Sequence, residues 1–298
     1  MLTVDHCVLC EGEIFTRKSG VVAPFLARRI WNGKAPPVQL VECRKCSFLF
    51  FNPRLEPDEE QRLYASYRLE EYQRVRQACE PWYTPAFNVK LSNPQHLAAR
   101  REKLGPLLQA HVATLTKPGA KPRILDFGGD RGQLIEGLVP NAACYTYDIS
   151  AVDPLPGIER CRNLDECRAH EFDLIVCSNV LEHVGFPLTI VDQILQIAAP
   201  GTQVFIEVPF ESPFGTTLVV RRLVQWGLLA VLRPSIAWTL ATPGLLYVMH
   251  EHINYFNTAS LQAMMAGAGG RVESTGVYEI NGPMGKGTMG WCLGRRAV

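Results

Sequence analysis

The chain has 298 residues, of which 47% are hydrophobic and 20% charged, and its 30 Lys and Arg residues nearly balance 29 Asp and Glu. The length predicts about two domains. A formal charge of +1 gives no general attraction to polyanions, so nucleic acid is not expected as a partner. No stretch reaches the ~20 apolar residues of a membrane span, and the first residues lack the pattern of a secretory signal, which predicts a cytoplasmic protein.

Two CxxC pairs stand near the start of the chain, Cys7 with Cys10 and Cys43 with Cys46. Each CxxC turn directs two sulfur atoms at one point, and two such pairs suit the tetrahedral coordination of Zn²⁺. Four cysteines complete that shell, so we expect a structural ion. The alternatives are four buried thiols that act as small hydrophobic groups, or a redox pair. Residues 1–55 are therefore interpreted as a small zinc-binding module.

Helical patterns dominate residues 56–118, which we interpret as a linker or lid region. One continuous helix is predicted from Pro57 over PDEEQRLYASYRLEEYQRVRQ, because acidic residues fill its first turn and its end is basic. A second helix is predicted after Pro94, with leucines on one side. The aromatic and basic segment 72–88 between them either packs the linker helix on the core or covers an acceptor.

Residues 119–298 carry the clearest fold signal. The apolar runs RILDF, CYTYDI, FDLIVCSN and QVFIEVP alternate with helical patterns around residues 131–139 and 186–199. This alternation predicts βαβ units, and hence an α/β domain whose parallel sheet is covered on both faces. A helix near residues 258–268 and two more strands are predicted to follow. An apolar, partly basic insertion at about residues 211–248 interrupts the alternation.

A glycine-rich turn, DFGGDRG at residues 126–132, follows the first of these strands. Glycines there let the backbone approach a nucleotide-like cofactor, although such glycines also simply close tight turns. Asp148 ends the next strand, where a carboxylate can accept both hydroxyls of a ribose; the alternative is a cap or turn residue. The coincidence of the two features favours a cofactor site.

The segments ILDFGGDRGQL, YDIS, FDLIVCSNVLEHV and IEVPF, in this order and spacing, resemble the class I S-adenosylmethionine-dependent methyltransferases. The resemblance implies a Rossmann-like, doubly wound sheet of seven strands with S-adenosylmethionine as cofactor. One departure is Asp130, which stands where the family has its middle glycine. The cofactor-binding residues that the resemblance implies are Asp126, Gly128, Gly129, Gly132, Asp148, Ser178 and Asn179.

A narrower resemblance concerns the acceptor. Two CxxC pairs, this core and a His-Glu-His-x-x-Tyr-Phe segment together resemble the sugar methyltransferases of deoxysugar and surface-polysaccharide pathways. In the C-methylating members a tyrosine precedes His-Glu-His, whereas this chain has Met249 there. The resemblance therefore implies a sugar acceptor and leaves O-methylation and C-methylation open.

Methyl transfer from a sulfonium requires alignment of donor and acceptor and removal of one proton, which suits a histidine near neutrality. His183 follows the fourth strand, and His252 lies beside Glu251 in a polar cluster, so these three are the predicted catalytic residues. The alternatives are a loop histidine bonded to backbone and a capped turn. A metal site from His250 and His252 is disfavoured, because no obvious set of carboxylate partners accompanies them.

The insertion contains a predicted helix from Thr217 to Leu232 on which only Arg221, Arg222 and Gln225 are polar. Such a helix must be buried or must meet something apolar, and it is too short and too interrupted to span a bilayer. Three alternatives follow: a lid over the acceptor, a dimer contact, or an interfacial helix. In the third, residues 214–244 would bring the enzyme to a membrane surface that holds lipid-linked glycan.

Together these features predict an S-adenosylmethionine-dependent methyltransferase with a structural zinc module. Its predicted acceptor is a sugar, nucleotide-linked or part of a glycan, in polysaccharide or deoxysugar biosynthesis. One alternative is methylation of a non-sugar metabolite. Another is a binding protein of methyltransferase fold whose altered glycine turn no longer supports turnover and whose zinc module recruits a partner. The oligomeric state is left open.

Overall fold

The computed structural model describes residues 1–67, 69–87, 94–115, 119–150, 152–238, 244, 246–282 and 285–297. The chain divides into two compact units, and each is described by itself. The N-terminal unit comprises Met1–Ser92, Glu182–Phe186 and Glu211–Tyr255. The sheet unit comprises Asn93–Leu181, Pro187–Phe210 and Phe256–Val298.

The two units contain the following elements. The helices are α1 (Pro24–Trp31), α2 (Pro57–Tyr64), α3 (Glu70–Cys79), α4 (Pro94–Leu115), α5 (Leu164–Arg168), α6 (Pro187–Ile197), α7 (Thr216–Leu232), α8 (Pro234–Trp238) and α9 (Thr258–Gly267). The strands are β1 (Ile14–Val22), β2 (Val38–Cys43), β3 (Leu49–Asn52), β4 (Arg123–Phe127), β5 (Ala143–Tyr147), β6 (Ile158–Arg160), β7 (Leu174–Ser178), β8 (Gln203–Pro209), β9 (Val248–Met249), β10 (Asn254–Tyr255), β11 (Gly270–Gly282) and β12 (Gly285–Arg296).

Seven strands form the sheet unit's sheet, in the order β11-β12-β8-β7-β4-β5-β6. The five strands from β4 to β8 pair in parallel, as the alternating apolar runs predict. β12 pairs with β8 and β11 with β12 in antiparallel fashion, so the sheet is mixed. The chain runs outward from β4 through β5 to β6 and then returns to β7 on the other side of β4. This reversal of strand order opens a crevice at the carboxyl ends of β4 and β7, which is where open α/β sheets bind ligands.

A five-stranded sheet of order β10-β3-β2-β1-β9 forms the centre of the N-terminal unit. β1, β2 and β3 are an antiparallel meander, and the 211–255 segment adds β9 beside β1 and β10 beside β3. One hydrophobic core joins these parts, because Phe25 and Phe51 are buried in the same cluster as Met249 and Ile253. The residues around the CxxC pairs therefore fold together with the 211–255 segment.

The helix predicted from Pro57 is wrong in its continuity, because the structure breaks it into α2 and α3. Ser66 between them has a φ of +55°, which an α-helix does not allow. The Arg29 side chain donates to the Leu63 carbonyl at 3.2 Å and also to the Ala65 carbonyl, so it satisfies carbonyls that the end of α2 leaves open.

The helix predicted around residues 131–139 is also wrong, because this stretch forms successive turns. Gly132 and Gly137 have φ values of +79° and +69°, and these left-handed residues stop helix propagation. The helices predicted near 186–199, 258–268 and 217–232 are confirmed as α6, α9 and α7. In the described part of the chain, no helix is long and apolar enough to cross a membrane.

Candidate functional site

The four cysteines of the two CxxC pairs meet in the N-terminal unit. Their sulfur atoms all lie within 4.8 Å of one another. The Sγ atom of Cys10 is 3.6 Å from that of Cys43 and 3.5 Å from that of Cys46, and Cys7 Sγ is 3.7 Å from Cys46 Sγ. The structure thus brings the predicted metal ligands together around one point.

Backbone amides surround two of these sulfur atoms. The Leu9 amide points at Cys7 Sγ at 3.5 Å, while the Lys45 and Cys46 amides point at Cys43 Sγ at 3.3 and 3.5 Å. Amide dipoles aimed at sulfur favour the deprotonated thiolate, which is the form that ligates metals. The cluster therefore has the donor set and the polar surroundings of a four-sulfur metal site.

In the sheet unit, the glycine turn after β4 is tight enough to require glycine. Gly128 has a φ of +73°, and a Cβ there would lie 2.5 Å from the Val180 side chain, just after β7. A Cβ at Gly129 would lie 2.1 Å from the Asp126 carboxyl carbon. The turn is therefore packed against the end of β7, and its glycines leave backbone without side chains at the crevice between β4 and β7.

Of the two predicted acids, Asp148 holds this turn by a hydrogen bond, and Asp126 lies against it at Gly129. Asp148 Oδ2 accepts from the Asp130 amide at 2.9 Å, and its Oδ1 accepts from the Ser150 amide at 2.7 Å. Asp126 is 2% exposed, and its Oδ2 has no hydrogen-bond partner among the described residues. Burial raises the pKa of Asp126 to about 7. An orphaned carboxyl oxygen beside bare glycine backbone fits a ligand that carries an amino group, as S-adenosylmethionine does.

The amide of Asn179 donates to the Glu207 carbonyl at 3.0 Å, and the φ of Asn179 is +55°. Ser178 Oγ lies 2.5 Å from Glu207 Oε2 and also contacts Arg100. Arg100 pairs in turn with Glu207, which accepts from Tyr278 as well. Burial disfavours the Arg100 cation, but the Glu207 carboxylate outweighs this effect and raises the Arg100 pKa. Ser178 is thus part of a buried charge network at the carboxyl ends of β7 and β8.

The sequence interpretation missed this network. Its signal was present, because Glu207 is a charged residue inside the apolar run QVFIEVP and is 0% exposed. A charge in a buried strand needs a partner. The partner, Arg100, lies on α4, 107 residues away in the chain, and only the fold identifies it.

The three predicted catalytic residues meet in the N-terminal unit. The rings of His183 and His252 are 4.8 Å apart, edge to face. His183 Nδ1 lies 3.0 Å from the Glu251 backbone carbonyl, which can only accept, so Nδ1 carries the proton and Nε2 is left as an acceptor. His252 Nδ1 lies 2.9 Å from Glu211 Oε2. Tyr72 donates to Glu251 at 2.5 Å, and Arg76 pairs with it at 2.8 Å.

These partners give the two histidines opposite charge states. Burial, and then the nearby His252, lower the pKa of His183 to about 4. Burial also disfavours the His252 cation, but the hydrogen bond that its Nδ1 donates to the Glu211 carboxylate outweighs this effect and raises the His252 pKa to about 9. Burial disfavours the Glu251 anion, yet Arg76 lowers its pKa to about 2. Near pH 7 the cluster holds a neutral imidazole, an imidazolium and a carboxylate.

Arg54 fixes the backbone that carries His183. Its side chain is 0% exposed and donates to the carbonyls of Phe51 at 2.6 Å, Gly185 at 2.8 Å and Val184 at 3.2 Å. The sequence interpretation assigned no role to Arg54, Glu211 or Tyr72, because their partners are distant in the chain. A buried arginine that binds the two carbonyls after His183 holds this histidine in place.

Glu182, His183 and His252 also place one ligand atom each within 4.8 Å of one another. Two histidines and a carboxylate are a known ligand set for divalent metals. His250, which the sequence placed in the disfavoured metal site, is used elsewhere: its Nδ1 accepts from the Glu251 amide at 2.7 Å, and its Nε2 contacts Glu80. A metal at this cluster would therefore use the His183 and His252 pair.

Comparisons with known proteins show which family the chain belongs to. A family model described as a methyltransferase domain matches residues 96–275. No curated protein matches the chain.

Three solved structures are similar to parts of the chain. A Bacillus halodurans C-125 protein described as a methyltransferase is 10% identical over 63% of this chain and 100% of that chain, with a TM-score of 0.38. CalO1, a methyltransferase in calicheamicin biosynthesis with SAH bound, is 13% identical over 66% of this chain and 55% of that chain, with a TM-score of 0.38. A protein described by the conversion of a disulfide bond into a thioacetal group during echinomycin biosynthesis is 15% identical over 70% of this chain and 89% of that chain, with a TM-score of 0.43.

Proposed function

The chain belongs to the S-adenosylmethionine-dependent methyltransferases, and from that premise we propose that it methylates a hydroxyl group of a sugar. The observation that carries this proposal is the pair of imidazoles, one neutral and one charged, that the N-terminal unit holds 4.8 Å apart. The sugar class is supported by the sequence resemblance and by the polar character of this cluster. S-adenosylmethionine, when bound, supplies the methyl group as an electrophilic sulfonium.

His183 is the proposed general base. Its Nε2 is an acceptor because its Nδ1 donates to the Glu251 carbonyl, and its lowered pKa keeps the ring neutral near pH 7. A carboxyl oxygen of Glu182 lies 3.8 Å from His183 Nε2 and would stabilise the ring once it accepts a proton. General base catalysis of this kind contributes about 10²–10⁴-fold in rate.

His252 and Glu251 serve to position the acceptor and the base. His252 is a cation next to Glu211, so it can donate a hydrogen bond to an acceptor oxygen. The ionised Glu251 is held by Tyr72 and Arg76, and its backbone carbonyl orients His183. The tautomer of His183 is thus set by a backbone carbonyl, whose position depends on how Glu251 is held.

A hydroxyl oxygen is the proposed acceptor because the residue before His250 is a methionine, Met249. Met249 takes the place of the tyrosine found in C-methylating relatives, and it is 0% exposed on β9. It therefore offers no hydroxyl for stabilising an enolate, which methylation at carbon beside a carbonyl would require. Deprotonation of a hydroxyl needs only the base.

In the sheet unit, the glycine turn, Asp126 and Asp148 are the groups proposed to hold S-adenosylmethionine. Asp126 Oδ2 is the proposed acceptor for its amino group, and Asp148 the acceptor for its ribose hydroxyls. Both carboxyl groups retain unused lone pairs for this purpose. Asp130, the departure from the family pattern, uses its backbone amide to bind Asp148.

The four-cysteine cluster is proposed to bind one structural Zn²⁺. Four sulfur donors around one point complete a tetrahedral shell and leave no open position for a substrate. The amides aimed at Cys7 and Cys43 fit thiolate ligands better than neutral thiols.

Product analysis tests the proposed reaction. Purified protein is incubated with S-adenosylmethionine and a panel of nucleotide sugars, and S-adenosylhomocysteine and the methylated product are followed by mass spectrometry. We expect acceptor-dependent S-adenosylhomocysteine and an O-methyl sugar. A C-methyl product with ketosugars would overturn the hydroxyl assignment. Turnover that depends on added divalent metal would assign His183 and His252 to a metal instead of to a proton.

A further inference from the structure

Helix α7 directs a row of apolar side chains away from the hydrophobic core of the N-terminal unit, to which the helix belongs. At 3.6 residues per turn, spacings of three and four place these residues on one face. The row is called the α7 stripe, and it holds six of the ten exposed large hydrophobic side chains in the described residues. Its members, with their exposed fractions, are Val220 (59%), Leu223 (54%), Val224 (67%), Leu228 (39%), Val231 (78%) and Leu232 (46%).

The opposite face of α7 is the one that packs. Leu229 is 0% exposed, and Trp226 contacts the hydrophobic core of the unit. Arg222 is 9% exposed and donates to the Leu246 carbonyl. A surface helix ordinarily buries its apolar face and exposes its charges. Because α7 is anchored through an arginine and exposes its aliphatic side chains, the stripe is a surface built to meet something apolar.

The charge around the stripe identifies the kind of partner. Residues 212–250 contain no Asp or Glu, whereas they contain Arg221, Arg222 and Arg233. Arg221 lies at the edge of the stripe and Arg233 directly follows the helix, and both are exposed. An aliphatic face bordered by cations complements a surface that is apolar inside and anionic outside.

A second copy of this chain fits the stripe less well. Antiparallel pairing about Gly227, which lies near the centre of the stripe, would set Arg221 of one copy opposite Arg233 of the other. Glu211 interacts with Arg221 but is already hydrogen-bonded to His252, and residues 212–250 hold no acidic residue that could neutralise Arg233. Like charges next to an apolar interface oppose association, whereas anionic headgroups attract the same residues.

We propose that the α7 stripe inserts into the surface of an anionic lipid bilayer, with Arg221 and Arg233 at the level of the headgroup phosphates. The 17 residues of α7 extend about 25 Å, which is enough to lie in the interface along its length. This inference is independent of the acceptor sugar. It assigns the enzyme a place of action at a membrane surface.

Vesicle flotation tests the proposal with the full-length protein. The vesicles contain phosphatidylcholine with phosphatidylglycerol, or phosphatidylcholine alone. We expect flotation with the anionic vesicles and about tenfold less binding to the neutral ones. The double variant Val224→Glu and Val231→Glu places two carboxylates on the stripe, and we expect it to lose binding by about tenfold or more. Val277→Glu, a matched control at a valine that is 52% exposed in the sheet unit, should float like the wild type.

Several results would overturn the proposal. These are absence of flotation with the wild type, equal binding of the double variant, or equal binding to both vesicle types. Sedimentation equilibrium tests whether a second copy of the chain covers the α7 stripe instead. A wild-type dimer that does not float, and that Val224→Glu and Val231→Glu convert to monomers, would assign the stripe to a second copy. Far-UV circular dichroism of each variant shows that a lost interaction does not reflect a lost fold.

Discussion

Two imidazoles carry different charges in the N-terminal unit because their partners differ. His183 donates to a neutral backbone carbonyl and is crowded by the His252 cation, while His252 faces the Glu211 carboxylate. Each histidine contacts its partner through a single hydrogen bond at its Nδ1 atom. The charge states of the pair therefore depend on residues that can be changed one at a time.

The pH dependence of stability tests this electrostatic arrangement. Burial lowers the His252 pKa, but Glu211 outweighs it and raises the value to about 9, above the about 6.5 of an unfolded histidine. The stability from this proton is complete below about pH 6.5 and is lost as the pH rises through about 9. Because both side chains are partly exposed, solvent screening limits it to roughly 1 kcal/mol.

We expect Glu211→Gln to remove this contribution. By calorimetry its melting temperature should lie about 2–4 °C below the wild type near pH 6.5, and the two should converge near pH 9.5. A difference that stays constant across this pH range would show that Glu211 does not hold the His252 proton.

Asp148 is the residue whose loss should weaken the cofactor site most simply. Asp148→Ala removes the acceptor of the Asp130 and Ser150 amides and the proposed acceptor of the ribose. A charge-assisted hydrogen bond contributes about 1.5–3 kcal/mol, so affinity for S-adenosylmethionine should fall at least about tenfold by titration calorimetry. Asp153→Ala, at a side chain that is 98% exposed, is the control. If Asp148→Ala binds as the wild type does, the strand-end acid does not contact the cofactor.

At the scale of elements, the four-cysteine cluster lies at the end of β2, next to the hairpin that leads to β3. Metal binding there would be coupled to the folding of the surrounding loops. We expect about one Zn²⁺ per chain by elemental analysis of the wild type and markedly less in Cys43→Ser. Cys144→Ser, in the sheet unit, should retain the metal.

The same Cys43→Ser variant should lose stability in the N-terminal unit while S-adenosylmethionine binding by the sheet unit persists. Limited proteolysis and titration calorimetry report on the two units separately. Metal-free wild type, or equal loss of both properties in Cys43→Ser, would contradict the proposed role of the cluster.

Apart from the helix predicted around residues 131–139, elements with a local signal were predicted correctly, and those set by distant partners were not. The buried parallel strands β4, β7 and β8 are continuous apolar runs, so the sequence predicted them. The carbonyls at the break between α2 and α3 are bound by Arg29, which lies 34 residues before Leu63 in the chain. β9 and β10 are two residues each and exist only through pairing with β1 and β3. A pattern of hydrophobic residues does not specify which strands pair with each other.

At the scale of the whole molecule, two sets of predicted site residues lie in different units. The glycine turn, Asp148, Ser178 and Asn179 belong to the sheet unit, and His183, Glu251 and His252 belong to the N-terminal unit. The sequence identified these residues through motifs, but the network of Arg100 and the anchoring by Arg54 required the fold. Cofactor binding and turnover can be measured as separate properties of the full-length protein.

The most direct test of the proposed reaction is the turnover of His183→Gln. Glutamine keeps a polar side chain of similar length but cannot take up a proton, so kcat should fall by about 10² or more while the Kd for S-adenosylmethionine stays unchanged. His111→Gln, on α4 of the sheet unit, is the matched control and should turn over like the wild type. A His183→Gln enzyme that methylates its acceptor at the normal rate would contradict the assignment of His183 as the base.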